Sequence, residues 1–562
     1  MATKITRKDF IEQYTTFFQN AAKDELVAIL SAMAEKVEPS ARQSFLNTLY
    51  SPQQKRSSVK SEQLEQGILD EIADIKSEIL EKAEEEADWD EYQDDEDLAG
   101  YEEFVGSLAR LMCKVNAKFD LGCYEFARKA YAELFTIDVE DEYGHGINIS
   151  DVDGVDLNEA RARYLRSIYL TTRPNVRVKV LLDAMLKLDK LDFNERQKLN
   201  DMVAISVESL PDFSRFLEQW IAATQDYSKP QYDAWNREAT MLLYGSAGLE
   251  DLAKKEGKKR PRVYLAWINA LIAEKNYNAA LQAIEVALKE LQPDQPIRAA
   301  IGDLIVVCGK KLNDNTMQFA GLWHSFAAKP RLDKLIDLYE RCDVKDLLPC
   351  MCKAAEIIAV SINRADQYKY EPSWEKDDAT TPSWPNASLL LHAYFFSKQI
   401  NKAFKLAKQG ELLGWSSNDN PQAFFVAYIL VAAAKKPLGK LPSVLREFWD
   451  YALDISLGWY YPGKDELRQK LEKIYQTLFL TAGQVDEKII TWCLTESENR
   501  ITAIINGQYR GAYDRAALLA VACAKTLQLK DTAMATEFLT KIKNNFPRHS
   551  AFQSALRAAQ TK

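Results

Sequence analysis

Apolar residues recur at spacings of three and four along almost the whole chain, which is the pattern of a helix with one buried face. The clearest single stripe lies in residues 60–87 and consists of Leu64, Ile68, Ile72, Ile75 and Ile79. The pattern predicts an all-α protein. The stripe at 60–87 either packs on the chain's own body or pairs with a helix of a partner.

The predicted helices of the body follow one another in pairs that are separated by short turns. Four of these pairs share small or apolar residues spaced 3, 4 and 3 apart, and the four patterns begin at Tyr124, Tyr277, Ile400 and Thr532. Two antiparallel helices pack closely only where a small residue lets their backbones approach. The pattern therefore predicts helical hairpins that stack on one another.

This pattern resembles the tetratricopeptide repeat, a helix–turn–helix unit. In the resemblance, Ala280 and Ala535 take the small position at the helix crossing, Ala287 takes the second small position, and Pro547 takes the terminal proline. The four patterns begin 153, 123 and 132 residues apart, and each lacks the upstream glycine of that repeat. The resemblance implies an α-solenoid of stacked antiparallel hairpins.

Charge is unevenly distributed along the 562 residues, whose net charge is −10. Residues 1–105 carry 11 Lys/Arg and 25 Asp/Glu, a net charge of −14, so the remaining residues carry +4. The run at 84–103 holds twelve acids and no base, and such a run usually repels itself and stays solvated. Its aromatic residues Trp89 and Tyr92 support a second interpretation, a docking motif for a basic groove. We expect an acidic helical N-terminal region over 1–105.

Residues 366–387 break the helical pattern with three prolines and no periodicity. Such a composition predicts a linker, here between a helical-repeat body at 106–365 and a C-terminal helical-repeat domain at 388–562. The linker contains Pro-Ser-Trp twice, so Trp374 and Trp384 either dock on the body or are presented to a partner.

The C-terminal domain contains an aromatic loop with Trp459, Tyr460 and Tyr461 between two glycines. Large aromatic side chains on a loop are candidates for partner binding, since such residues are enriched at protein interfaces.

One basic cluster stands out at residues 254–262, where six of nine residues are positively charged. These six are Lys254, Lys255, Lys258, Lys259, Arg260 and Arg262. Because the cluster lies between two predicted hairpins, it is either a solvated, exposed turn or a docking site. As a docking site, the cluster would bind one of three acidic groups: a nucleic-acid backbone, an acidic protein partner or the chain's own segment 84–103. The acidic net charge disfavours nucleic acid in general.

Candidate catalytic and metal-binding residues are few. The four His lie far apart at positions 145, 324, 392 and 549, and the chain has no Gly-rich phosphate loop and no nucleophile elbow. We expect His392 to be a satisfied core residue on an apolar helix. Cys342, Cys350 and Cys352 lie close in sequence without the fourth ligand of a structural zinc site. We expect no catalytic residue, no cofactor and no metal.

The eight dispersed cysteines predict reduced thiols in a cytoplasmic protein. The first residues are charged and do not read as a signal peptide. The most apolar stretch, residues 420–434, has 15 residues without a charge, whereas a membrane span needs about 20. We therefore expect a buried helix there and no membrane partner.

These features favour a protein-interaction scaffold or adaptor without catalytic activity. Stacked hairpins build extended surfaces, and the chain is rich in Trp (11) and Tyr (25).

The length and domain layout of the chain also give an alternative, because they resemble those of the protein substrate of the RNA-guided, caspase-like CRISPR peptidase. That resemblance implies a regulatory partner in bacterial antiviral defence that is cut in or near the linker. A second alternative is an enzyme of unrecognised type, whose acids or His converge from distant repeats.

Overall fold

The computed structural model describes residues 58–87, 102–140, 146–149, 155–189, 196–226, 230–365, 385–458, 463–481 and 483–562, together with Phe17, Leu26, Ile29, Leu30 and Met33. These residues contain 23 α-helices, so the all-α fold class is confirmed. The described chain divides into two compact units, Met1–Asp251 and Leu252–Lys562. The domain boundaries that composition suggests, at 105, 365 and 388, remain predictions.

The first unit contains nine successive elements and most of a tenth. They are α1 (Ser58–Ala87), α2 (Glu102–Asp120), α3 (Tyr124–Leu134), β1 (Asp138–Glu140), β2 (Gly146–Asn148), α4 (Leu157–Thr171), α5 (Pro174–Leu188), α6 (Leu199–Ala204), α7 (Phe213–Ala223) and α8 (Pro230–Glu256), which continues into the second unit. The two short strands pair antiparallel, with Val139 opposite Ile147.

Helix α1 packs on the body of the chain through its isoleucine stripe. Ile72 and Ile79 are buried, and Ile68 is nearly so. Ion pairs flank the stripe, where Lys114 of α2 contacts Glu71 at 2.5 Å. Leu64, at the N-terminal end of the predicted stripe, is 62% exposed and does not pack there. The isoleucines of the stripe pack on the chain's own body, which is the first of the two alternatives that the sequence left open.

The second unit holds the remaining helices. They are α9 (Arg262–Ala273), α10 (Tyr277–Glu290), α11 (Ile297–Leu312), α12 (Asn315–Ala328), α13 (Leu332–Arg341), α14 (Leu347–Ala365), α15 (Ala387–Phe396), α16 (Ile400–Ala407), α17 (Gln422–Ala434), α18 (Ser443–Leu457), α19 (Lys464–Leu480), α20 (Glu487–Asn506), α21 (Tyr513–Gln528), α22 (Thr532–Asn545) and α23 (Ser550–Thr561).

Small residues lie at the helix contacts of this unit. Ala280 and Ala287 of α10 are fully buried, and Ala535 of α22 is 6% exposed. The closest approach, however, lies at two glycines that the repeat pattern did not mark. A methyl group on Gly302 of α11 would lie 2.5 Å from the backbone nitrogen of Ser325, and one on Gly321 of α12 would lie 2.7 Å from the Gly302 carbonyl oxygen. Helices α11 and α12 thus pack backbone against backbone.

Helix α17 is the buried centre of the C-terminal half of the second unit. Every residue of α17 except Ala433 is buried, and α15, α16, α18, α20 and α21 contact it. The buried helix predicted at 420–434 is therefore confirmed. Among the described helices, none combines the length and the apolar character that crossing a lipid bilayer requires.

The glycine contact between α11 and α12 can be tested by adding one methyl group. Overpacking by the new methyl group of Gly302→Ala costs about 1–3 kcal/mol, whereas alanine gains roughly 1 kcal/mol over glycine inside a helix. We therefore expect the free energy of unfolding to fall by up to about 2 kcal/mol. Gly439→Ala is the control, since nothing lies within 4 Å of a methyl group there. Urea unfolding of both variants checks the prediction, and equal midpoints would contradict it.

Candidate functional site

The basic cluster at 254–262 forms the turn that joins α8 to α9. Lys254 and Lys255 belong to the last turn of α8, and Arg262 is the first residue of α9. The side chains of Lys255 and Lys258 are 72% and 74% exposed, and Lys259 is exposed as well. The cluster therefore presents several ammonium groups at one short turn.

The backbone of this turn is held in place by its own hydrogen bonds. The amides of Lys259 and Arg260 both donate to the Glu256 carbonyl oxygen at 2.9 Å. Gly257 lets the Tyr264 ring lie against the backbone, because a methyl group at that position would be 2.3 Å from the ring carbon Cζ. The turn is consequently a fixed support for the lysines and not a loose connection.

At least three of the six cations form ion pairs within the second unit, and Lys255 lies 3.9 Å from the Glu256 carboxylate. Arg260 is buried and its guanidinium donates to the Glu256 carboxylate at 3.1 Å. Lys258 contacts Glu290 at 2.7 Å; this hydrogen bond raises the pKa of Lys258 and lowers the pKa of Glu290. Arg260 thus stabilises the turn from inside, so the exposed turn that the sequence predicts contains one buried cation.

The other residues proposed for partner binding lie outside the described part of the chain. These residues are Trp89, Tyr92, Trp374, Trp384, Trp459, Tyr460 and Tyr461. Residues 88–101 of the acidic run and residues 366–384 of the linker lie outside it as well. Their predicted roles remain predictions.

A buried polar network connects three helices of the second unit. Tyr475 Oη of α19 lies 2.7 Å from His392 Nδ1 of α15, and His392 Nε2 lies 3.0 Å from Ser456 Oγ of α18. The Ser456 hydroxyl donates to the Leu453 carbonyl oxygen at 2.7 Å. Ser456 must therefore accept from His392 Nε2–H, and Tyr475 must donate to Nδ1, which assigns a neutral imidazole with its proton on Nε2.

This network is closed to solvent. His392 and Tyr475 have no exposed surface, and Ser456 is 5% exposed. Burial lowers the pKa of His392 to about 3 and raises the pKa of Tyr475 well above its usual value. The three groups resemble a nucleophile–base arrangement in residue type only. The Ser456 hydroxyl is enclosed by the protein, so a substrate has no access to it. The prediction of a satisfied core histidine is confirmed.

A second constellation lies where α11, α12 and α13 meet. The Lys334 ammonium donates to both carboxylate oxygens of Asp303, at 2.6 and 2.9 Å, and to Ser325 Oγ. The Ser325 hydroxyl donates to Asp303 Oδ1 at 2.7 Å. Lys334 is held in an ion pair by Asp303, and Ser325 beside it is fully buried. The arrangement is suited to joining helices and not to nucleophilic attack.

The sequence reasoning missed a basic run on α4 and α5. Residues 160–182 contain six Lys or Arg and no acid, which resembles a surface for a polyanion. The fold instead buries Arg161, Arg163, Arg166 and Arg177. Burial of four of the six cations leaves Arg173 and Lys179 as the exposed members of the run.

The buried arginines of this run bind neutral groups as well as acids. Arg166 donates to the carbonyl oxygens of Met202, at 3.2 Å, and of Glu208. The guanidinium of Arg177 lies 4.2 Å from the centre of the Tyr169 ring. Counting charges along the sequence could have found the run. Only the tertiary contacts show that four of its arginines are buried and bonded to other protein groups.

No described group of three or more His, Cys, Asp or Glu side chains is arranged to hold a metal ion. Comparison with models of protein families, with curated proteins and with solved structures finds no match to this chain. The geometry of the described residues therefore carries the functional argument alone.

The hydrogen bond from Tyr475 to His392 can be tested by removing one hydroxyl. We expect Tyr475→Phe to lower the free energy of unfolding by about 1–3 kcal/mol, because it leaves the buried Nδ1 without a donor. Tyr428→Phe is the matched control, since Tyr428 lies in the same aromatic core, 3.8 Å from the Phe395 ring. Chemical unfolding measures both variants, and an equal loss in the two would contradict the prediction.

The low pKa of His392 predicts a pH dependence of stability. Below about pH 6.5 the unfolded chain binds a proton at this His while the native chain does not, so acid destabilises the fold. The contribution of the neutral His392 to the free energy of unfolding is fully present above pH 6.5. It is lost as the pH falls toward 3, by at most about 1.4 kcal/mol per pH unit. His392→Gln removes it, so the stability gap between wild type and variant should narrow with acid. Urea unfolding from pH 7 to 4 measures that gap, and a constant gap would contradict the assignment.

Proposed function

We propose that this protein is a helical interaction scaffold, and that the turn at 254–262 binds an acidic surface of a protein partner. The observation that carries the proposal is the combination of a fixed backbone with outward-facing lysines. Lys255, Lys258 and Lys259 are exposed, while Gly257 and the buried Arg260 hold the turn from inside. A preorganised cluster of charges binds with less loss of entropy than a flexible one.

The proposal extends to the arrangement of the helices that support the turn. From α9 to α14 each helix contacts the next one along the chain, and α9 also contacts α11. Such nearest-neighbour contacts are what stacked antiparallel hairpins of a tetratricopeptide-like solenoid would make. A stack of this kind would present the turn at 254–262 at one end of a continuous row of helices.

The two polar constellations join helices of the second unit to one another. Their hydroxyl groups are enclosed, and each polar atom described there already bonds a protein neighbour. These groups contribute cohesion between helices, which a scaffold needs.

The acidic partner can be sought with a matched pair of charge-reversal variants of the full chain. Lys255→Glu/Lys259→Glu changes two exposed lysines in or just after the last turn of α8. Lys310→Glu/Lys311→Glu changes two exposed lysines in the last turn of α11, so net charge and local context are the same. We expect affinity capture from source cells to lose the partner with the first pair only, and the captured binding to weaken as salt increases.

Each outcome of this capture has a definite meaning. A stoichiometric partner that both variants retain would reject the basic turn as the interface. Absence of any stoichiometric partner with wild type would reject the scaffold proposal. Deleting residues 88–101 tests the chain's own acidic segment as the occupant, because capture should then increase if that segment competes for the turn.

A further inference from the structure

A stretch of the second unit is basic, although the chain as a whole is acidic. Residues 387–446 contain eight Lys or Arg and two Asp or Glu, a net charge of +6, whereas the whole chain carries −10. The two acids, Glu411 and Asp419, both lie in the loop between α16 and α17. Seven of the eight cations are exposed lysines. They are Lys398, Lys402, Lys405, Lys408, Lys435, Lys436 and Lys440.

Helix α16 and the residue that follows it hold three of these lysines on one side. Lys402, Lys405 and Lys408 follow one another at intervals of three residues, so they lie within an arc of about 120° and rise about 4.5 Å from one to the next. The other side of α16 is buried through Ala403 and Ala407. The three ammonium groups therefore point away from the core.

The packing of α16 on α17 brings further lysines to one end of this row. The side chain of Gln422, at the start of α17, donates to the carbonyl oxygen of Gly410 at 3.0 Å, and the rings of Phe404 and Phe425 stack 5.9 Å apart. The two helices are therefore antiparallel, and the end of α17 lies beside the start of α16. The lysine face is defined as Lys398, Lys402, Lys405, Lys408, Lys435 and Lys436.

Within the part of the chain that the structure describes, no member of the lysine face forms an ion pair. Lys408 instead lies 4.4 Å from the centre of the Phe404 ring. Elsewhere in the same unit an exposed lysine does find an acid, since Lys530 contacts Glu487 at 2.5 Å. Like charges three and four residues apart repel each other on a helix. An external anion would supply the counter-charge that the described protein does not.

The composition of the lysine face favours a nucleic acid over a protein as its partner. Residues 398–410 and 435–440 include no exposed large apolar side chain. Protein interfaces are depleted in lysine and are centred on aromatic or aliphatic anchors, whereas interfaces with nucleic acid are much more positively charged. Charges more than about 8 Å away are screened at physiological salt, so these lysines, and not the net charge of the chain, determine the local potential.

The form of the nucleic acid follows from the same side chains. Proteins that bind single strands stack the bases on aromatic side chains, and no exposed aromatic residue lies in these two segments. The major groove of B-form DNA is about 12 Å wide and admits a helix between its phosphates. The major groove of duplex RNA is too narrow for side chains to enter.

We propose that the lysine face binds the phosphate backbone of double-stranded DNA without reading its sequence. Lysine contacts a phosphate as a point charge, so affinity comes from charge and from the release of counterions. The proposal is independent of the basic turn at 254–262 and of the scaffold function.

Fluorescence anisotropy with a short, labelled DNA duplex of mixed sequence measures binding to the full chain. We expect affinity to fall steeply between about 50 and 200 mM salt, because each phosphate contact releases a counterion. Lys402→Gln/Lys405→Gln should weaken binding at least about tenfold at low salt and make the slope of log affinity against log salt shallower by about 2. Both side chains are exposed, so circular dichroism should show an unchanged fold and melting temperature.

Lys310→Gln/Lys311→Gln is the matched control, because it removes two exposed lysines in the last turn of α11. We expect its affinity and its salt slope to equal those of wild type. The same loss in both variants would overturn the proposal, since it would show a response to net charge and not to this face. Wild type that binds no duplex at about 50 mM salt would overturn it as well.

Three further probes test the class of partner. A duplex of different sequence should bind as tightly as the first, because no base is read. Poly-L-glutamate and an RNA duplex should compete for the face more weakly than DNA. Poly-L-glutamate that competes as well as DNA would reassign the face to an acidic protein, and an RNA duplex that binds more tightly than DNA would reassign it to RNA. Either result would overturn the proposal.

Discussion

Two helices approach only as closely as the side chains between them permit, and this steric constraint shapes the second unit. At Gly302 and Gly321 there is no side chain, so the backbones of α11 and α12 meet directly. Once the two helices are this close, Ser325 comes within hydrogen-bond distance of Asp303. Lys334 at the start of α13 then joins both groups. A contact without side chains thus creates the polar junction that holds the third helix.

The interior of the second unit shows how an all-helical core accommodates polar groups. The imidazole of His392 has a donor on one side and an acceptor on the other, supplied by Tyr475 and Ser456. Isolated serine and threonine hydroxyls, such as those of Ser497 and Thr526, donate to carbonyl oxygens four residues earlier in their own helices. These polar groups are therefore satisfied within their own helices or in a small closed set.

Local periodicity predicted those features that depend on one helix alone. The buried helix α17, the isoleucine stripe of α1 and the buried Ala280 follow from spacing and composition, and the structure agrees with each. The glycine contact of α11 and α12 did not follow, because its partners lie on different helices and glycine carries no hydrophobic signal. The burial of Arg260 was missed for a similar reason, since a run of charges indicates solvent unless a specific carboxylate such as Glu256 is known to be close.

The burial of all but one residue of α17 has a consequence for the chain while it is being synthesised. Three of the helices that contact α17 follow it in sequence, namely α18, α20 and α21. The last of them, α21, ends at Gln528, which is 94 residues after Ala434. At about 5–20 residues per second, the ribosome completes this cover only about 5–20 seconds after α17 itself is made. Over that interval α17 lacks the part of its cover that α21 provides. The nascent chain therefore depends on α15, α16 and α18, or on cellular chaperones, to keep this apolar segment from aggregating.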